Sequence, residues 1–157
     1  MDYFKIVYLN GKRLIVYKTG EIVVWNDSAH FHKPSRWIIR RNNYDSYGYA
    51  RLYLEPKSYK ISRIIAMTYL GLDINNIKLF VDHINHDVKN NNIENLRIVS
   101  LQQNSWNKKN VKGYRKRNNK FEAVLYVGHK PIWLGIYDTE DEAHQSYLKG
   151  KEIYQKI

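Results

Sequence analysis

The chain has 157 residues, 43% of them hydrophobic and 14% aromatic, enough for one medium or two small folded units and too much for a disordered chain. Cysteine is absent, which excludes disulfides and thiolate-bound zinc, and there is neither a membrane-length apolar run nor a signal-peptide core. Lys and Arg number 26 against 15 Asp and Glu, a net charge of +11 with a pI near 9.7, and with no basic amphipathic helix this excess points to a polyanionic partner rather than a membrane.

The first 60 residues read as short strands. FKIVYL (4–9), KRLIVYK (12–18) and EIVVWN (21–26) are β-branched and aromatic runs broken by Asn10-Gly11 and Thr19-Gly20, and Asn-Gly between two such runs predicts a hairpin. Residues 26–36 are polar, contain a Pro and read as a loop. RWIIRR (36–41) and YGYARLYLE (47–55) are further strand candidates, with NNYDSYG as the turn between them. Over SRIIAMTYL (62–70) the period changes to helical, with Ser62 as the expected N-cap and Gly71 as the stop.

Leu79, Phe80 and Val81 form an apolar strand that runs into Asp82-His83. The polar turn HDVKNNN follows. Ile93, Leu96, Ile98 and Val99 resume an apolar spacing, and Ser100 is placed to cap a helix that starts at Leu101 and carries Asn104, Trp106 and Asn107. YRKR (114–117), FEAVLYV (121–127) and IWLGIY (132–137) are then three strands, separated by Asn118-Asn119 and by Gly128-His129-Lys130-Pro131. Asp138-Thr139-Glu140-Asp141-Glu142 is a capping sequence for a last helix with Ala143, Tyr147, Gly150 or Lys151, and Tyr154 on one face. The fold class expected is α+β.

The densest chemistry lies in residues 82–104. Asp82 can ligate a hard divalent cation, and Asn104 offers it a neutral oxygen. His83, with an ordinary pKa near neutrality, can take a proton from water, and the Asn95 amide can hold a loop by its backbone. Neighbours on a strand point to opposite faces, so Asp82 and His83 share a cleft only at a strand end or a bend. Basic residues gather nearby in sequence: residues 108–120 hold seven Lys and Arg and no acid, and Arg36, Arg40 and Arg41 form a second cluster. Trp37, Trp106 and Tyr114 stand among them, as suits a surface that lies on phosphates and sugars.

Asp82-His83-Ile84-Asn85, then Asp87, the paired Asn of the turn, Glu94-Asn95-Leu96-Arg97 and an Asn nine residues after Asn95 resemble the HNH endonucleases of the phage and intron homing type. The likeness covers about residues 45–107. It implies a ββα-metal fold that grips one Mg²⁺ or Mn²⁺ per active site. By position it implies His83 as the general base, Asp82 and Asn104 as metal ligands, and Asn95 as the residue that orients the His83 loop. Asn107 competes with Asn104, and spacing favours Asn104. His86, where a Gly is common in relatives, is read as a turn residue, and Asn90, Asn91 and Asn92 as turn builders.

Residues 113–156 resemble the AP2 DNA-binding domain. Gly113-Tyr114-Arg115 with Arg117, Lys120-Phe121-Glu122-Ala123, and Trp133-Leu134-Gly135 with Tyr137-Asp138-Thr139 carry the likeness. It implies a three-stranded sheet laid in the major groove and backed by one helix, with Arg115, Arg117, Lys120, Tyr126, Lys130 and Trp133 facing DNA. Lys108, Lys109 and Lys112 then form a basic link that tracks the backbone.

The expected organisation is a nuclease domain over 1–107 with a β-rich N-terminal part, a linker over 108–112 and the AP2-like domain over 113–157. The function expected is a metal-dependent, site-specific DNA endonuclease of the homing type. The alternative is a non-cleaving, sequence-specific DNA-binding regulator that keeps the fold. The expected partner is double-stranded DNA, with no membrane, and the expected state is a monomer, with a dimer as the alternative. The expected setting is intracellular, in the cytoplasm of a bacterial or phage-infected cell.

Overall fold

The fold comes from a computed structural model, which describes residues 3–27, 35–39, 43–108 and 110–155. The chain divides into two compact units, Met1–Ser100 and Leu101–Ile157. Small antiparallel sheets and three α-helices among the described residues make an α+β arrangement.

In the first unit, strands β1 (Phe4–Leu9), β2 (Lys12–Tyr17), β3 (Ile22–Asn26) and β4 (Arg36–Ile39) form one antiparallel sheet in chain order. Alternation sorts its residues: Leu9, Leu14, Val16, Ile22 and Val24 are buried, while Phe4, Ile6 and Tyr8 are exposed on the other side. Asn10 and Gly11 both take positive φ at the β1–β2 turn, the backbone a tight hairpin needs. The Asn10 amide also donates to the carbonyls of Leu54 and Glu55, each at 2.8 Å.

A second sheet contains β5 (Asn43–Tyr44), β6 (Ala50–Leu54) and β7 (Lys57–Lys60), again in chain order. The sequence reading placed Tyr44 in a turn and missed β7, whose Lys-Ser-Tyr-Lys carries no apolar alternation. β7 runs without a break into α1 (Ile61–Leu70). Ser62 is therefore not the cap. Lys60 holds that position without a side-chain cap bond, and Ser62 is buried inside the first turn. Packing against the core sets this helix start in place of a capping side chain. Gly71 ends α1 in the left-handed region, with its N–H on the Ala66 carbonyl, as the sequence suggested.

β8 (Leu79–His83) pairs with β9 (Leu96–Ser100) in an antiparallel ribbon whose register sets Asp82 opposite Arg97 and His83 opposite Leu96. Arg63 on α1 fixes the approach to β8 by donating to the carbonyls of Ile74, Asn76 and Leu79. Leu14, Val16, Leu52, Ile64, Ile65 and Leu96 belong to one apolar cluster, with Val81 and Ile93 packed on it. Both sheets, α1 and the ribbon thus share a core, and each fully buried Leu or Ile contributes about 1.5–3 kcal/mol.

The second unit holds α2 (Leu101–Trp106), β10 (Tyr114–Arg117), β11 (Lys120–Val127), β12 (Lys130–Tyr137) and α3 (Glu140–Tyr154). The sheet order is β10-β11-β12. Lys130 and Pro131, read from sequence as turn residues, open β12, because Gly128 and His129 alone make the hairpin with positive φ at both. Thr139 and Glu142 form a reciprocal capping box at α3, with acids throughout the first turn. Ala123 and Leu125 face Ala143 and Tyr147 in a small core. Gly150 is a close-packing position: a Cβ there would lie 2.8 Å from Leu134.

Candidate active site

β8 delivers Asp82 and His83 side by side at its end, and both are buried, at 8% and 4% exposure. Arg97, opposite on β9, donates from Nε (2.9 Å) and Nη2 (2.8 Å) to Asp82 Oδ2. Buried carboxylates are ordinarily paired, and the cross-strand guanidinium supplies that pairing.

His83 Nε2 lies 3.2 Å from Asn91 Oδ1. The Asn91 Nδ2 donates to the Lys89 carbonyl at 3.2 Å, so its oxygen must turn toward the ring. An amide oxygen only accepts; Nε2 therefore carries the ring proton, and the lone pair of the neutral imidazole sits on Nδ1. Burial pushes the His83 pKa below its ordinary value. Asn91, Asp82 and Asp87 oppose that shift and Lys60 adds to it. The Tyr49 ring stands 5.9 Å from the imidazole, and the Lys60 ammonium lies over that Tyr49 ring, 3.4 Å from its centre.

The loop from Ile84 to Asn92 is folded by its own side chains. Asn85, Asp87, Asn90 and Asn92 each accept a bond from the backbone N–H two residues on, at 2.8–3.2 Å. Such Asx turns let a short polar segment satisfy its backbone without a sheet or helix. Asn95 closes the loop from both sides: its Oδ1 accepts from Asn85 N–H (3.0 Å) and its Nδ2 donates to the Asn90 carbonyl (2.8 Å). His86 takes positive φ where the chain turns.

Asp82, His83 and Asn95 lie in the first unit. Asn104 and its competitor Asn107 lie in the second, Asn104 half-buried on α2. Among the described residues, no three His, Asp or Glu side chains are grouped to hold a metal ion, and no helix is long and apolar enough to cross a membrane. Sequence reasoning did not assign chemistry to Arg97, Asn91, Tyr49 or Lys60. Arg97 is set across from Asp82 by strand register, which the sequence alone does not show.

The basic residues divide by place. Arg36 is exposed on β4, and Lys108 and Lys112 are exposed ahead of β10. Arg40, Arg41 and Lys109 lie outside the described residues. In the second unit, register puts Arg115, Arg117, Lys120, Tyr126 and Trp133 on the sheet face turned away from α3. Lys130 pairs with Val127 and falls on the opposite parity. At the centre of the open face, Glu122 is buried and accepts from Arg115 Nε at 2.6 Å, with Arg117 at 3.9 Å. The Arg115 bond holds the Glu122 carboxyl below its ordinary range, against burial. Lys120 pairs with Asp138 at 2.7 Å.

The stretch that carries these residues has known relatives. Residues 59–106, from β7 through α2, match the model of the HNH endonuclease family. An 81-residue stretch is 37% identical to an uncharacterized HNH endonuclease of Acanthamoeba polyphaga mimivirus, covering 48% of this chain and 43% of the viral protein. The chain thus spans less than half the length of that relative. No solved structure matches the chain.

Proposed function

We propose that the chain is a metal-dependent, site-specific DNA endonuclease of the homing type, built on a ββα-metal core with His83 as general base. One observation carries the reading: a buried imidazole at a strand end is held at Nε2, so that its basic atom is Nδ1. A neutral His held in one tautomer can take a proton from water as that water attacks phosphorus. Asn95 keeps the backbone after His83 in place through its two loop bonds, and Arg97 orients the Asp82 carboxylate.

By position in the family motif, Asp82 would offer a hard divalent cation a carboxylate and Asn104 an amide oxygen; with no cysteine in the chain, these donor types suit Mg²⁺ or Mn²⁺ over a soft metal. When bound, such an ion stabilises charge on the phosphate and on the departing 3′ oxygen. The open sheet face of the second unit supplies recognition in this reading. Arg115 and Arg117 have side chains 68% and 67% exposed, and β-sheets enter the major groove where base edges differ. The partner is duplex DNA.

Supercoiled plasmid carrying the target, incubated with Mg²⁺ or Mn²⁺, is nicked or linearised by the wild type. His83→Ala lowers that rate by about 10²–10⁴ and leaves DNA affinity intact. Wild-type protein that binds the target yet leaves it uncut with either metal overturns the nuclease and supports a non-cleaving DNA-binding protein.

A further inference from the structure

Asn91 touches His83 on one side and the N-terminal sheet on the other. It is buried, at 6% exposure, although residues that merely build a polar turn ordinarily face water. Its side chain is used at both ends, Oδ1 at the His83 ring and Nδ2 at the Lys89 carbonyl. Its backbone is pressed by the β2–β3 turn. A Cβ built on Gly20 would come 2.8 Å from Asn91 Cβ and 2.9 Å from its carbonyl carbon and oxygen. Gly20 also has φ +99°, a conformation that side chains rarely adopt. Just past Asn91, the Ile93 N–H donates to the Lys18 carbonyl at 2.9 Å, so the same turn is tied to the loop by a backbone bond.

We propose that Asn91 is the positioning residue of the site: clamped by the Lys18–Gly20 turn, its amide oxygen holds the His83 ring at Nε2 and so fixes which ring nitrogen, Nδ1, is turned to the reacting water. This deepens the nuclease reading and rests on it. It also gives the N-terminal sheet a task beyond added DNA contacts, as the outer support of the base. The glycine at position 20 is then required by the site, because any side chain there displaces the residue that holds the ring. Outer partners that orient a working imidazole are typically worth 10- to 100-fold in activity, and a ring held in the wrong tautomer loses more.

The test uses the full chain and two readouts. Long-range ¹H–¹⁵N spectra report the His83 tautomer without substrate or metal, the His83 signals being assigned by their loss in His83→Gln. Steady-state nicking of target plasmid with Mg²⁺ reports kcat and KM. Wild type and Asn91→Asp, which keeps an acceptor oxygen, show the Nε2–H tautomer and kcat values within about tenfold of each other. Asn91→Leu, of similar volume but without an acceptor, and Gly20→Ala, which does not touch His83, both give mixed tautomers. Their kcat falls about 10- to 100-fold with KM little changed. A folded Asn91→Leu protein with the wild-type tautomer and kcat overturns the proposal. If the wild type does not nick but Asn91→Leu and Gly20→Ala still scramble the tautomer, the nuclease reading fails while the clamp on His83 stands.

Discussion

Two polar regions of this chain, the Ile84–Asn92 loop and the open face of the β10–β12 sheet, use similar residue types toward opposite ends. The loop spends its side-chain oxygens on its own backbone, four Asx turns in succession, and Asn95 seals it from within. The sheet face leaves its two arginines mostly in solvent and buries only the Glu122 beneath them. A segment closed on itself holds atoms still, as a reacting group requires. A face with exposed guanidinium forks keeps its donors available for a partner, and a buried acid at its centre restricts how the nearer fork points.

That contrast can be broken at either end. The largest effect is expected from Arg115→Ala with Arg117→Ala. Duplex affinity falls on the order of 10²-fold, at about 1–3 kcal/mol for a base-reading arginine, and the salt slope of binding becomes shallower. The cleavage rate at saturating DNA stays at the wild-type level. Equal loss of affinity and of saturated rate would show that the two regions do not work separately. A smaller effect is expected from Asn95→Ala, which leaves Asn85 N–H and the Asn90 carbonyl without their partner. Thermal or chemical unfolding should register a loss of about 1–3 kcal/mol, and plasmid affinity should not change.

The smallest effect is in pH. Burial lowers the His83 pKa from its ordinary 6.5; with His83 as the proposed base, whose working form is the neutral ring, the acid limb of the cleavage profile is expected below that value. Activity is full above that limb and is lost as pH falls through it. Glu122 is held below the ordinary carboxylate value by Arg115, so its charge is constant above about pH 5 and DNA binding is flat where cleavage declines. A cleavage limb above pH 7, or a binding limb that coincides with it, removes the distinction.

How much of this was legible in the sequence depends on the range of the interaction. Asn10-Gly11, the Gly71 stop and the Thr139-Glu142 box are each written within a few residues, and each is where the sequence put it. β7 and the start of α1 were misplaced because β7 has no alternating pattern and the helix start is set by core packing. In the site, Asp82, His83 and Asn95 stood out as polar types at fixed spacing. Their partners did not. Arg97 meets Asp82 through strand register, and Asn91 looked like one of three interchangeable turn asparagines until Gly20 and His83 were seen on either side of it. Nothing local distinguishes Asn91 from Asn90 or Asn92.

The same contact has a bearing on timing. Lys18 and Ile93, and Gly20 and Asn91, are joined across more than seventy residues of chain, a closure that chain entropy makes slow relative to neighbouring hairpins. The β10–β12 sheet is assembled from adjacent strands, the kind of local pairing that forms early. During folding, the surface with the exposed arginines is therefore expected to be complete before the imidazole is braced. On the proposed reading, a chain in that interval would hold nucleic acid without being able to cut it.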